Sequence, residues 1–173
     1  MKKIYTIRNA QPQEFTLIGQ LMVRVYSQLE GFSTPEEQPD YYKVLANVGN
    51  FTQNPGTELI VAVSPEGHIG AAVVFFNDMQ FYASGGKATT EKNAAGFRLL
   101  AVDSAHRGQG LGKLLTEECI RKAKEAQLKK LIIHSTNTMK VAWKMYERIG
   151  FQRYNELDFM QGDIKVCGFK LPL

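Results

Sequence analysis

Cysteine is scarce in this 173-residue chain, with 2 in all. Cys119 falls in a helical pattern and Cys167 in an apolar strand pattern, so both read as small buried hydrophobes rather than a disulfide framework or a metal site. Reduced thiols point to the cytoplasm. No run approaches the ~20 apolar residues a bilayer crossing needs. The opening MKKIYTIRNAQPQEF carries basic residues with no apolar core or small-residue cleavage site behind them. Repeats and low-complexity segments are also missing. The expectation is an unexported cytoplasmic protein with no membrane partner and no metal.

Apolar residues make up 44% and charged residues 22%, the balance of an ordinary globular domain. The net charge is +4 with a pI near 9.0, but Lys and Arg alternate with Glu through most of the chain. The densest basic run, IRKAKEAQLKK, includes Glu125 and reads as a charged helix face, not a nucleic-acid patch. A small anionic ligand fits this excess.

Periodicity supplies the elements. KKIYTIR alternates as a strand, and the next segment places Phe15, Ile18, Leu21, Met22 and Val25 at helical spacing. DYYKVLANVGNF reads as a shorter helix. TELIVAV and HIGAAVVFF form a hairpin about SPEG, and Asn77 to Asn93 is a long exposed connection. AAGFRLLAV is a strand; the helix after it buries Leu111, Leu115, Cys119 and Ala123. KKLIIHSTN is another strand. From Thr138 a helix carries Val141, Ala142, Met145, Tyr146 and Ile149 on one stripe and ends at Gly150. FQRYNELDFM and IKVCGFKLPL, joined at QGD, close the chain as a hairpin. The fold class is α/β of the α+β type, a mixed sheet of about seven strands flanked by about four helices in one domain, 1–173.

Between strand and helix stands RGQGLG, Arg107 to Gly112. Glycines entering a helix expose N–H groups that the first turn leaves unpaired, and these favour an anion by ~0.3–2 kcal/mol. The P-loop template fails, with Arg107 at its first glycine and Leu114 where a hydroxyl belongs. The dinucleotide template fails at Lys113, where it requires a third glycine.

In this form, R-G-x-G-x-G, the stretch resembles the acetyl-CoA signature of the GNAT superfamily of N-acetyltransferases. A second match lies downstream: Tyr146-Glu147-Arg148-Ile149-Gly150-Phe151 resembles the family's Y-E-x-x-G-F. The likeness is specific from Leu59 onward and extends to the N-terminal half by element order. It implies a GNAT-like fold and an acetyl-CoA cosubstrate bound by a core of about 95–151. It also implies acceptor-side elements at about 11–55 and 77–93. Main-chain groups of Leu100 and Val102 would pair with pantetheine; Arg107, Gly108, Gln109, Gly110, Leu111, Gly112 and Lys113 would hold the pyrophosphate; Asn137 would also face the cofactor. A backbone N–H near Leu100 to Val102 would receive the oxyanion.

Transfer to an amine needs a proton for the departing thiolate. The resemblance assigns that role to Tyr146, whose phenol pKa of ~10 lies above a thiol's ~8.5; the competing reading is a core aromatic on an apolar stripe. A base is harder to find. Relatives carry a glutamate on the strand before the signature, where this chain has Arg98, leaving Glu91 and Asp103 outside it. His134 is either a base or structural. Arg98 either favours a carboxylate-bearing acceptor or serves the sheet. Tyr41, Tyr42, Phe51, Phe81 and Tyr82 wall an acceptor pocket or pack a homodimer. The leading expectation is an enzyme acetylating a primary amine of a small molecule or peptide; the alternative is a non-catalytic acyl-CoA-binding or regulatory module.

Overall fold

The computed structural model describes residues 2–173. They form eight strands and four α-helices: β1 (Thr6–Asn9), α1 (Phe15–Ser27), α2 (Pro39–Ala46), β2 (Thr57–Val63), β3 (Ile69–Phe76), β4 (Ala94–Val102), α3 (Leu111–Glu125), β5 (Lys130–Ser135), α4 (Lys140–Ile149), β6 (Gln152–Arg153), β7 (Phe159–Gln161) and β8 (Ile164–Pro172). The sheet order is β1-β2-β3-β4-β5-β8-β6, with β7 paired to β8 off that path. It is a mixed sheet: β4 and β5 run parallel, while β1/β2, β5/β8, β6/β8 and β7/β8 are antiparallel. The chain falls into two compact units, one of residues 1–74 and 99–116, the other of 75–98 and 117–173.

In the first unit, Glu14 accepts the Gln11 N–H and both terminal nitrogens of Arg8, starting the chain into α1. Ile18, Leu21, Met22 and Val25 are buried, as their spacing predicts. Gly19 sets how closely α1 meets α2, since a Cβ there would lie 2.0 Å from the Ala46 carbonyl oxygen. β2 is buried almost throughout, the mark of a strand covered on both faces. Its reversal into β3 is the predicted one, with Gly67 at φ +88° and its N–H donating to Ser64.

In the second unit, β4 pairs with β5 over Ala94–Gly96 only, while β5 stays paired to β8 as far as Ser135. Two sequence readings change here. The stretch read as one closing strand is broken: the Asn155–Leu157 turn buries Leu157 and separates β6 from β7, giving eight strands where about seven were expected. Asp158 accepts the Gly168 N–H and pairs with Arg153, fixing that break. Val141, the second residue of α4, leaves the predicted stripe and is 87% exposed, on the outer side of the helix's first turn.

Candidate functional site

The first unit carries Leu100, Val102 and the whole of Arg107 to Lys113. Asp103 ends β4, and its N–H donates to the Gly70 carbonyl. The Asp103 carboxylate caps the Ser104–His106 turn through the Ala105 N–H and binds Arg24 at 2.6 Å. Burial pushes its pKa up, but the Ala105 N–H and the Arg24 guanidinium outweigh that and hold it below its ordinary value. His106 Nδ1 is hydrogen-bonded to the Tyr5 hydroxyl at 2.8 Å. The turn leading into the glycines is therefore fixed by Tyr5, just before β1, and by Arg24 of α1, residues no local pattern singles out.

Beyond it the chain opens. Gly108 and Gly110 stand at φ +76° and +77°, a conformation costing other residues ~1–2 kcal/mol. Leu111, 2% exposed, anchors the first turn of α3. The first i→i−4 bond runs from the Leu114 N–H to Gly110. Among the described residues, nothing accepts from the main-chain N–H groups of Gly108 through Gly112. Arg107 is exposed and makes no ion pair among those residues. Gln109 is tied by its side-chain oxygen to the Lys3 N–H. A row of donors at a helix start, with no Cβ at Gly108 or Gly110 to screen it, fits a pyrophosphate.

Leu99 introduces a feature invisible in the pattern. It is a leucine at φ +59° within β4, a genuine outlier for a bulky side chain. Leu100 and Val102 on either side of Ala101 are half-buried, and the Leu100 carbonyl accepts from the Tyr26 hydroxyl at 3.3 Å.

The second unit carries Arg98, His134, Asn137 and Tyr146. Arg98 Nη1 donates to the carbonyls of Tyr82 and Ala83, at 2.9 and 3.0 Å, with its guanidinium over the Tyr82 ring. It clamps the connection after β3, which is less exposed than expected: Met79, Tyr82 and Ala88 are buried. Tyr82, at 0% exposure, is a core residue and not a pocket wall.

His134 Nε2 lies 2.8 Å from the Leu157 carbonyl, which can only accept, so Nε2 carries the proton. Nδ1 then accepts from the Tyr82 hydroxyl at 3.0 Å. Burial lowers the His134 pKa, with Arg98 adding to that effect; both ring nitrogens are occupied, which is the structural reading. Glu91 is paired with Lys130 and accepts from Tyr154, and Asp103 is paired with Arg24. None of the acids or histidines weighed as a base is disengaged.

Tyr146 is 5% exposed, its ring 5.6 Å from Phe151 and 6.0 Å from Phe97. Burial raises its pKa well above the ordinary phenol value, with Tyr82 and Cys119 contributing. Its hydroxyl makes no hydrogen bond among the described residues. Asn137 is exposed beyond the end of β5.

The model of the acetyltransferase (GNAT) family matches residues 20–151. No curated protein matches the chain. Among solved structures, an acetyltransferase of the GNAT family from Staphylococcus aureus Mu50 aligns with TM-score 0.73 at 15% identity, covering 98% of this chain and 99% of that one. A GCN5-related N-acetyltransferase from Kribbella flavida aligns at 0.70 and 19%, covering 98% of each. YncA from Salmonella typhimurium, solved with its cofactor acetyl-CoA, aligns at 0.64 and 13%, covering 98% and 94%.

Proposed function

The chain belongs to the acetyltransferase (GNAT) family, and from that premise we propose that it is an acetyl-CoA-dependent N-acetyltransferase acting on a primary amine of a small molecule or peptide. Bound acetyl-CoA supplies an acetyl group activated as a thioester. The N–H groups of Gly108 through Gly112, with Arg107 and Lys113, hold its pyrophosphate. Main-chain groups of Leu100 and Val102 pair with the pantetheine, and Asn137 serves in cofactor binding. The segments 11–55 and 77–93 face the acceptor.

Tyr146 supplies the proton taken by the departing thiolate. The observation that carries this reading is its hydroxyl, which makes no hydrogen bond among the described residues on a ring packed by Phe97 and Phe151. A phenol of ordinary pKa ~10 is protonated at neutral pH and burial raises it further, so the group enters the reaction carrying the proton that a general acid must donate. The acceptor gives its own proton to water, since Glu91, Asp103 and His134 are engaged elsewhere. The rate then rises with pH as the amine deprotonates.

That same shortage of a base favours a second reading, an acyl-CoA-binding module without efficient transfer. Thiol release from acetyl-CoA over a panel of amines separates the two. Release that falls when Tyr146 becomes Phe supports the enzyme; tight acetyl-CoA binding with no release from any amine supports the module.

A further inference from the structure

The segment 2–5, which leads into β1, lies against the glycine loop and the turn before it. The Tyr5 hydroxyl is hydrogen-bonded to His106 Nδ1 at 2.8 Å, and the two rings meet edge to face with centroids 5.8 Å apart. The Lys3 N–H donates to Gln109 Oε1 at 3.3 Å. The Lys2 ammonium stands 3.5 Å from where a Cβ of Gly110 would lie, with its Cε at 3.9 Å. Gly70 of β3 makes room for this arrangement. A Cβ there would lie 2.9 Å from Leu111 and 3.0 Å from both His106 and Tyr5, so the three side chains converge where β3 offers none. All of these residues belong to the first unit, with the loop itself.

The two lysines are used differently. Lys3 Nζ is paired at 2.9 Å with Glu66 of the reversal between β2 and β3. Lys2 is exposed, and among the described residues its ammonium makes no ion pair and no hydrogen bond. Asp103, the carboxylate just before the loop, is taken by Arg24. An unneutralised cation therefore stands beside Gly110, next to main-chain N–H groups that have no acceptor.

We propose that Lys2 is a phosphate-binding residue of the cosubstrate site, its ammonium pairing with the pyrophosphate that the loop N–H groups hold. Tyr5 and Lys3 position the segment that carries it. The inference rests on the acetyl-CoA reading above and extends that site to a residue far outside 95–151. A helix start offers roughly half a positive charge, less than a doubly ionised pyrophosphate calls for. An ammonium at the edge of the loop adds a full charge and a charge-assisted hydrogen bond.

Calorimetric titration of the full chain with CoA tests this without any turnover. In K2M, which keeps the stem and removes the charge, Kd is expected to rise about fivefold at low salt. That difference is expected to shrink at about 1 M salt, where charges are screened within about 3 Å. K2R, which keeps the charge, is expected to stay within about twofold of wild type. With 3′-dephospho-CoA, which retains the pyrophosphate, the K2M loss should persist. A Kd for CoA in K2M equal to that of the wild-type protein, or an equal loss in K2R, overturns the assignment and leaves the transferase reading standing. A loss seen with CoA and absent with 3′-dephospho-CoA also overturns it, moving Lys2 to the 3′-phosphate. A wild-type protein that binds no CoA overturns both.

Discussion

The loop from Arg107 to Gly112 and the surroundings of Tyr146 both keep hydrogen-bond donors unpaired, but by opposite means. In the loop, two left-handed glycines and a helix start leave main-chain N–H groups open to water. At Tyr146, Phe97 and Phe151 pack against the ring, and the hydroxyl makes no hydrogen bond among the described residues. A donor meant for a permanent anion can stand in solvent, because it never has to give its proton away. The proposed acid is already protonated at neutral pH as an ordinary phenol, and burial raises its pKa further.

The largest expected effect breaks the comparison at its buried side. Tyr146→Phe keeps the ring packing and removes the proton, so turnover should fall ~10²–10⁴-fold, with acetyl-CoA affinity by calorimetry unchanged. Equal turnover would return Tyr146 to the core. On the open side, Gly110→Ala meets the Lys2 ammonium only at ordinary contact distance, 3.5 Å, so its cost is conformational. A strain of ~1–2 kcal/mol should weaken acetyl-CoA binding about tenfold and leave turnover at saturation nearly intact.

Arg98→Ala sharpens the contrast by releasing the carbonyls of Tyr82 and Ala83. Allowing for its partial exposure, a loss of about 1 kcal/mol in chemical denaturation is expected. His134 offers a pH test. Its pKa in the folded protein lies below the ordinary 6.5, so the unfolded chain binds the extra proton first as pH falls. Stability should be full above about 6.5 and decline below it, and His134→Gln should flatten that decline. Smallest of all, Val141→Lys should stay within ~0.5 kcal/mol of wild type; a large loss would restore the predicted stripe.

Much of this was legible because it depends on near neighbours in the chain. The apolar stripes of α1 and α3, the SPEG reversal and the two glycines before α3 each follow from spacing and residue type. The rest depends on partners distant in sequence. Nothing around Tyr26 announces Leu100, 74 residues away, and nothing in GFRLLAV says that Arg98 will seize a loop carbonyl rather than a substrate. The tautomer of His134 is set by Leu157 and Tyr82. The break between β6 and β7 turns on Asp158 reaching Gly168, an exchange across strands that periodicity does not record.

Leu99 sets a limit on how this protein can be altered. Its backbone adopts a shape suited to glycine, yet its side chain is 5% exposed. Glycine there would relax the backbone and open a void, at a cost of the order of the ~2–5 kcal/mol seen for large-to-small core changes. Valine or isoleucine would keep part of the bulk while crowding the left-handed backbone further. For a designer seeking a stiffer or more tolerant variant, position 99 therefore has no favourable single move, and any route through it requires a second change in the neighbouring core made at the same time.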